Sequence, residues 1–125
     1  MRSISEEEIK DLLHFARQQA DFILKSTADV RSKQDFLLSM SGMVLFNSTC
    51  MCLQSIGEAI RQVDNKTEGK LFSKYPEIPW KQIIGMRNIL SHEYLSIDPD
   101  LIFDIISQEI EPLKETLGRV LAEIS

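Results

Sequence analysis

Two cysteines, two histidines, one tryptophan and five scattered glycines in 125 residues leave out most of the chemistry a small protein can carry. Cys50 and Cys52 lie two apart in a helical pattern, so their side chains point roughly 200° apart. They can neither pair with each other nor readily share a metal ion. No His, Cys or acid group has zinc spacing, no glycine-rich loop could cradle a nucleotide, and no Ser/His/Asp order stands out. No metal or cofactor is therefore expected. Long apolar runs are also missing. The longest, such as Met43-Val44-Leu45-Phe46, cannot cross a bilayer, and no apolar stretch follows Met1-Arg2-Ser3-Ile4 to act as a secretory leader. Free thiols without a leader or a membrane span fit a reducing cytoplasm, which is the expected location. Positive charge is in deficit: 14 Lys and Arg against 19 Asp and Glu give a net charge of −5. That argues against a protein gripping nucleic acid by bulk electrostatics, though not against a local basic pocket.

What is present is an ordinary globular composition, 43% hydrophobic and 26% charged, in a chain long enough for one domain over residues 1–125. The periodicity predicts four helices and no strand, with proline making a fifth. Ser5-Glu6-Glu7-Glu8 has the form of a capping box and opens a helix carrying Ile9, Leu12, Leu13, Ala16, Ala20 and Ile23, ending near Ser26-Thr27. The Glu run is a helix start and not a metal site. A longer helix is expected from about Ser32 to Val63, with Phe36, Met40, Met43, Asn47, Cys50, Leu53, Gly57 and Ile60 as its buried stripe. Phe36, Met40 and Met43 are then core residues, and Asn47 a core hydrogen bonder or register device. Gly42 or Gly57 bends this helix or marks the close approach of another. Residues 64–75 read as the one long loop, closed by Pro76 and Pro79, with Pro79 starting the third helix. Asp98-Pro99 restarts the chain as an N-cap followed by proline, and Pro112 must kink or split the last helix. The expected architecture is an all-α, up-and-down bundle of four to five helices.

One segment does not fit a merely structural role. Arg87-Asn88-Ile89-Leu90-Ser91-His92-Glu93-Tyr94 places a fixed cation, an amide, an acid/base group and a phenol within two turns of a half-apolar helix. With Arg87 at zero on a helical wheel, Ser91 falls near about 40°, Asn88 about 100°, His92 about 140° and Tyr94 about 340°. This is a polar face beside the apolar Ile83, Met86 and Leu90. Arg87 can fork onto phosphate oxygens and stabilise a phosphorane-like transition state. His92 can take or give a proton near neutral pH, and Asn88 can orient the imidazole or a phosphate oxygen. The set suits cleavage of RNA by its own 2′-hydroxyl. On composition alone, Arg and His in one helix more often form a solvated face or a structural pair. Trp80 reads first as a packing anchor and second as a base-stacking platform. Cleavage needs an acid as well as a base, and the other histidine, His14, lies on a different helix. Two copies facing across a two-fold axis would supply both groups, which predicts a homodimer joined near the Arg87 helix.

Pro76-Glu77-Ile78-Pro79-Trp80, followed by Arg87, four residues, His92, one residue and Tyr94, resembles the HepT-like family of HEPN-domain proteins. Leu53-Gln54-Ser55-Ile56-Gly57-Glu58-Ala59-Ile60 is similar to that family's second-helix motif. The resemblance implies a dimeric helical bundle acting as a metal-independent endoribonuclease toxin, paired with a small MNT-type nucleotidyltransferase antitoxin. It implies catalytic roles for Arg87 and His92, supporting roles for Asn88 and Ser91, and Tyr94 as the site where the antitoxin attaches AMP. Lys81, Lys74 and Trp80 are the candidate RNA contacts, and RNA binding is easiest if Arg87, Lys81, Lys74 and Lys70 line one groove. The competing reading is a non-catalytic helical subunit that presents a substrate or nucleotide to a nucleotidyltransferase. Net negative charge favours it; the presence of both Arg87 and His92 opposes it.

Overall fold

Every regular element of the computed structural model, which describes residues 4–92 and 96–125, is helical. In chain order these are α1 (Ile4–Ser26), α2 (Gln34–Leu37), α3 (Met40–Lys66), a 3-10 turn (Phe72–Lys74), α4 (Trp80–His92), α5 (Pro99–Gln108) and α6 (Ile110–Ile124). The all-α bundle is thus the fold, with six helices in place of four or five. No helix of the described residues is long and apolar enough to cross a membrane.

α1 and α3 are the central pair, α6 packs on α1, α4 on α3, and α5 on α6. Small residues bring the first two together: Ala16 and Ala20 of α1 and Ala59 of α3 are buried, flanked by Leu13, Ile23, Ile56 and Ile60. Each fully buried Leu or Ile contributes about 1.5–3 kcal/mol, so this seam dominates the bundle's stability. α1 begins at Ile4, which puts Ser5 inside the helix and not at its cap.

The expected long second helix is broken. Leu38 and Ser39 separate α2 from α3, and the Ser39 side chain caps α3 by accepting from the Gly42 amide at 2.9 Å. Gly42 is needed because a Cβ there would run into the Asp35 carbonyl of α2. The break changes which residues are core. Phe36 is fully buried, but Met40 is 82% and Met43 55% exposed. The stripe drawn through both drifts across two faces of α3. Thr49, Leu53, Ile56, Ile60 and Val63 form the buried face at steps of four and three. Met40, Val44, Asn47, Met51, Gln54, Glu58 and Arg61 form an outward ridge with the same spacing.

α3 runs to Lys66, past the expected boundary, and ends where Glu68 (φ 54°) and Gly69 (φ 75°) turn left-handed. The segment beyond is only partly a polar loop, since Leu71, Phe72, Tyr75 and Ile78 are buried. Tyr75 donates its hydroxyl to Glu123 on α6 at 2.7 Å. The Asp98-Pro99 restart forms as expected, with Asp98 Oδ1 accepting from the Asp100 amide at 2.9 Å. Pro112 splits the last helix: α5 ends at Gln108, α6 begins at Ile110, and the proline sits in the new first turn where no amide donor is needed.

Candidate active site

Arg87 to His92 of the polar run lie on α4, so the way α4 is fixed decides where their side chains point. Its first residue, Trp80, is buried and stacks on Phe72 with ring centroids 3.9 Å apart and planes 15° apart. Its indole N–H donates to the Tyr75 carbonyl at 2.8 Å. Both the ring face and the polar edge are therefore occupied, and Trp80 cannot serve as an RNA-stacking platform. Further along, Leu90 is buried and Ile83, Ile84 and Met86 pack against the core.

The crossing of α4 over α3 depends on Gly57. A Cβ at that position would lie 2.7 Å from the Arg87 Cβ and 2.9 Å from the Ile83 carbonyl oxygen. The bare backbone lets the two helices approach until Arg87 lies across the next residue of α3, Glu58. The Arg87 Nε forms an ion pair with Glu58 Oε2 at 2.9 Å, and Arg87 Nη1 donates to Asn88 Oδ1 at 2.9 Å. Arg61 grips the same carboxylate with two donors, Nη2 on Oε1 at 2.5 Å and Nε on Oε2 at 3.2 Å. Gln62 adds a third contact to Oε1 at 3.3 Å. The Arg61 hydrogen bonds, opposed by partial burial and helped by Gln62 and the Arg87 charge, hold the Glu58 carboxyl down to about 2. A lowered carboxyl keeps its stabilising contribution until the pH falls towards that value, so Glu58 is ionised at any working pH.

Two guanidinium groups thus share one carboxylate, leaving a local excess of positive charge in an acidic protein. Arg87 is held by its ion pair with Glu58 and by one N–H on Asn88, which leaves its other N–H groups for a ligand. Asn88, Ser91 and His92 are exposed on the outward side of α4, with His92 as its last residue. Asn88 Oδ1 meets Arg87, and no hydrogen bond joins the Asn88 and His92 side chains among the described residues. The His92 side chain makes no hydrogen bond or ion pair among the described residues. Tyr94 lies outside the described residues. Lys81 is exposed seven residues before Asn88, hence on the same ridge of α4, while Lys74 is exposed in the 3-10 turn. Lys70 pairs with Glu68 at 3.8 Å.

Among the described residues, the cleft that Arg87 lines includes none of the three lysines. That cleft, of about 340 Å³ between α1 and α3, is also lined by Leu12, Phe15, Met51, Gln54, Ser55, Glu58, Ala59 and Gln62. His14 faces a different groove, with Asp11, Arg17, Gln18, Asp21 and Lys114. Glu58 and Arg61 are the participants that the sequence did not single out. The usable signal was the Gly57-Glu58 pair, a glycine for helix approach followed by an acid able to meet an arginine on the approaching helix.

The family model described as "Ribonuclease HepT-like" matches residues 6–120. "Putative RNase MJ1380" of Methanocaldococcus jannaschii is 28% identical over 112 residues, covering 90% of this chain and 95% of that relative. "Putative RNase TTE0752" of Caldanaerobacter subterraneus subsp. tengcongensis is 29% identical over 104 residues, covering 83% and 86%. "Probable ribonuclease HepT" of Thermococcus cleftensis is 27% identical over 105 residues, covering 84% and 88%. No solved structure matches the chain. With its helical bundle, its Arg87–His92 spacing and a family match over nearly the whole length, the chain belongs to the HepT-like ribonuclease family.

Proposed function

We propose that this protein is an endoribonuclease toxin that cuts RNA through its own 2′-hydroxyl, with Arg87 and His92 as catalytic residues. The observation that carries the reading is the Arg87 guanidinium, fixed by Glu58 and Asn88 at the surface, with a solvent-exposed His92 five residues along the same helix. The ribonuclease names of the relatives support it. Neutral His92 accepts the proton of the 2′-hydroxyl, and the freed oxygen attacks phosphorus. Arg87 offsets the extra charge of the five-coordinate state. The bond to the 5′-oxygen breaks, and a protonated His92 from a second copy gives that oxygen its proton. The products are a 2′,3′-cyclic phosphate and a 5′-hydroxyl. Guanidinium and imidazolium supply all the positive charge the step requires, so it needs no metal ion.

The second copy has a surface to occupy. Leu38, Met40, Met43 and Val44 are 55–82% exposed, and no charged residue occurs between Asp35 and Glu58. An uncharged ridge can meet its own copy across a two-fold axis without like-charge repulsion, even in a chain of net charge −5. The proposed seam is this patch at the start of α3, and the same face of the helix leads on to Glu58 and the Arg87 site.

The deciding test is cleavage of a defined single-stranded RNA in EDTA by the purified, unmodified protein beside Arg87→Ala. Cutting by the wild type alone, leaving cyclic phosphate ends, is the expected result; no cutting by either protein, with intact mass showing no modification, would favour the nucleotidyltransferase-subunit reading. Silencing by an MNT-type nucleotidyltransferase, through AMP on Tyr94, completes the scheme. AMP adds a bulky anion near Arg87 that repels and displaces RNA. A Tyr94→Phe protein should cut RNA normally and stay active when incubated with that enzyme and ATP. Equal modification and inhibition of the variant would remove Tyr94 from the scheme.

A further inference from the structure

We infer that the cleft between α1 and α3 beside Arg87 is a nucleobase subsite, holding one base of a single-stranded RNA whose adjoining phosphate sits on Arg87. The inference rests on the ribonuclease reading for its substrate and on the cleft itself for its chemistry. At about 340 Å³ the space is of ligand-pocket size. Its walls suit a flat, uncharged ring with apolar faces and a polar edge. Phe15 of α1 is 41% exposed and Met51 of α3 is 71% exposed, an aromatic face and a thioether on opposite helices. Aromatic stacking of this kind is the common means of holding an unpaired base.

Polar groups stand where a base edge would need them. Gln54 and Ser55 are half-buried in the cleft and their side chains have no hydrogen-bonding partner among the described residues. Gln62, which also lines the cleft, donates one amide N–H to Glu58 and keeps a second N–H and its carbonyl oxygen for a ligand. An acyl chain or an apolar side chain in this place would strand those amide and hydroxyl groups without partners, whereas a base satisfies them. The distribution of charge selects the orientation. Among the described residues Glu58 and Arg87 are the only charged ones lining the cleft, and they pair with each other, so the rest of its lining is neutral and Arg87 is the group on offer to a phosphate. A nucleotide has the same layout, a neutral ring tethered to an anion. The cleft also explains how an acidic protein can bind RNA, since stacking supplies contact that its scarce lysines do not.

The test uses the full-length protein with 13C-labelled methionine methyl groups. Uridine and adenosine 3′-monophosphates are titrated in, with ribose 5-phosphate and inorganic phosphate as controls lacking a base. A saturable shift of the Met51 methyl resonance with the nucleotides and not with the controls is expected, weakened about 5- to 10-fold in Phe15→Ala and in Gln54→Leu. Cleavage is measured in parallel on one RNA and on its counterpart with an abasic site beside the cut. The wild type should cut the abasic RNA about tenfold more slowly, and Phe15→Ala should treat the two nearly alike. If the wild type cuts both equally and Met51 does not respond, the subsite is wrong while the ribonuclease reading stands. If Met51 responds but no RNA is cut, the subsite stands and the ribonuclease reading falls. Thermal melting of both variants separates loss of the subsite from loss of the fold.

Discussion

Replacing His92 by alanine is expected to lower RNA cleavage by about 10²- to 10⁴-fold, the usual worth of a positioned acid/base group, while leaving melting temperature and assembly unchanged. The two halves of this expectation have different origins. The large loss follows because no other titratable group on the exposed face of α4 can exchange a proton near neutral pH. The unchanged fold follows because His92 is exposed at the helix end with no bond among the described residues to lose. A mixed dimer of wild-type and His92→Ala subunits extends the test. If one cut needs a histidine from each copy as base and acid, the mixed dimer should be as inactive as the homogeneous variant. Half of the wild-type rate would show that each copy works alone, and a wild-type rate in the homogeneous variant would dismiss His92 altogether.

Gly57→Val should be the most damaging single change to the architecture of the site. The first atom of any side chain meets the Arg87 Cβ at 2.7 Å and the Ile83 carbonyl at 2.9 Å, both rigidly tied to the backbone of α4. No rotamer change relieves such a contact, so α4 must shift bodily. Overpacking of this order costs about 1–3 kcal/mol. The functional loss should exceed what that destabilisation explains, because moving α4 pulls the guanidinium off the Glu58 carboxylate that fixes it. Gly85 is the internal control: nothing lies within 4 Å of a Cβ built there. Gly85→Ala should therefore raise the melting temperature, since alanine improves on glycine within a helix by up to about 1 kcal/mol. Thermal melts of the three proteins, with cleavage rates taken well below each midpoint, check both signs. A Gly57→Val protein that melts and cuts like the wild type would mean the helices do not cross at that glycine.

Much of this was open to reading in the chain, for reasons that are local. Amphipathic periodicity announced the helices, Asp98-Pro99 marked a restart, and Pro112 marked a break, because capping and proline geometry act over a few residues. Arg87, Asn88, Ser91 and His92 could be placed on one face of one helix because spacing alone fixes angle there. The errors share a different cause. Met40 and Met43 look apolar enough to be buried, and only the packing of α2 and the seam between α1 and α3 show that this ridge points outward. Trp80 reads first as a packing anchor and second as a base platform, and the closure of Phe72 and Tyr75 around it decides for the core. The lysines could not be assigned to one groove from sequence, because they come from separate segments whose relative placement no spacing encodes.

By itself, then, the sequence determined the helical class, the single polar face and the residue types able to handle a phosphodiester. The tertiary structure decided what those residues work with. Glu58 lies 29 positions before Arg87, and the two meet only because Gly57 lets α4 come close enough to α3. Helical spacing fixes neighbours within a turn or two of one helix. A carboxylate on another helix becomes a neighbour only through packing, and it is that carboxylate which turns a surface arginine into an oriented one.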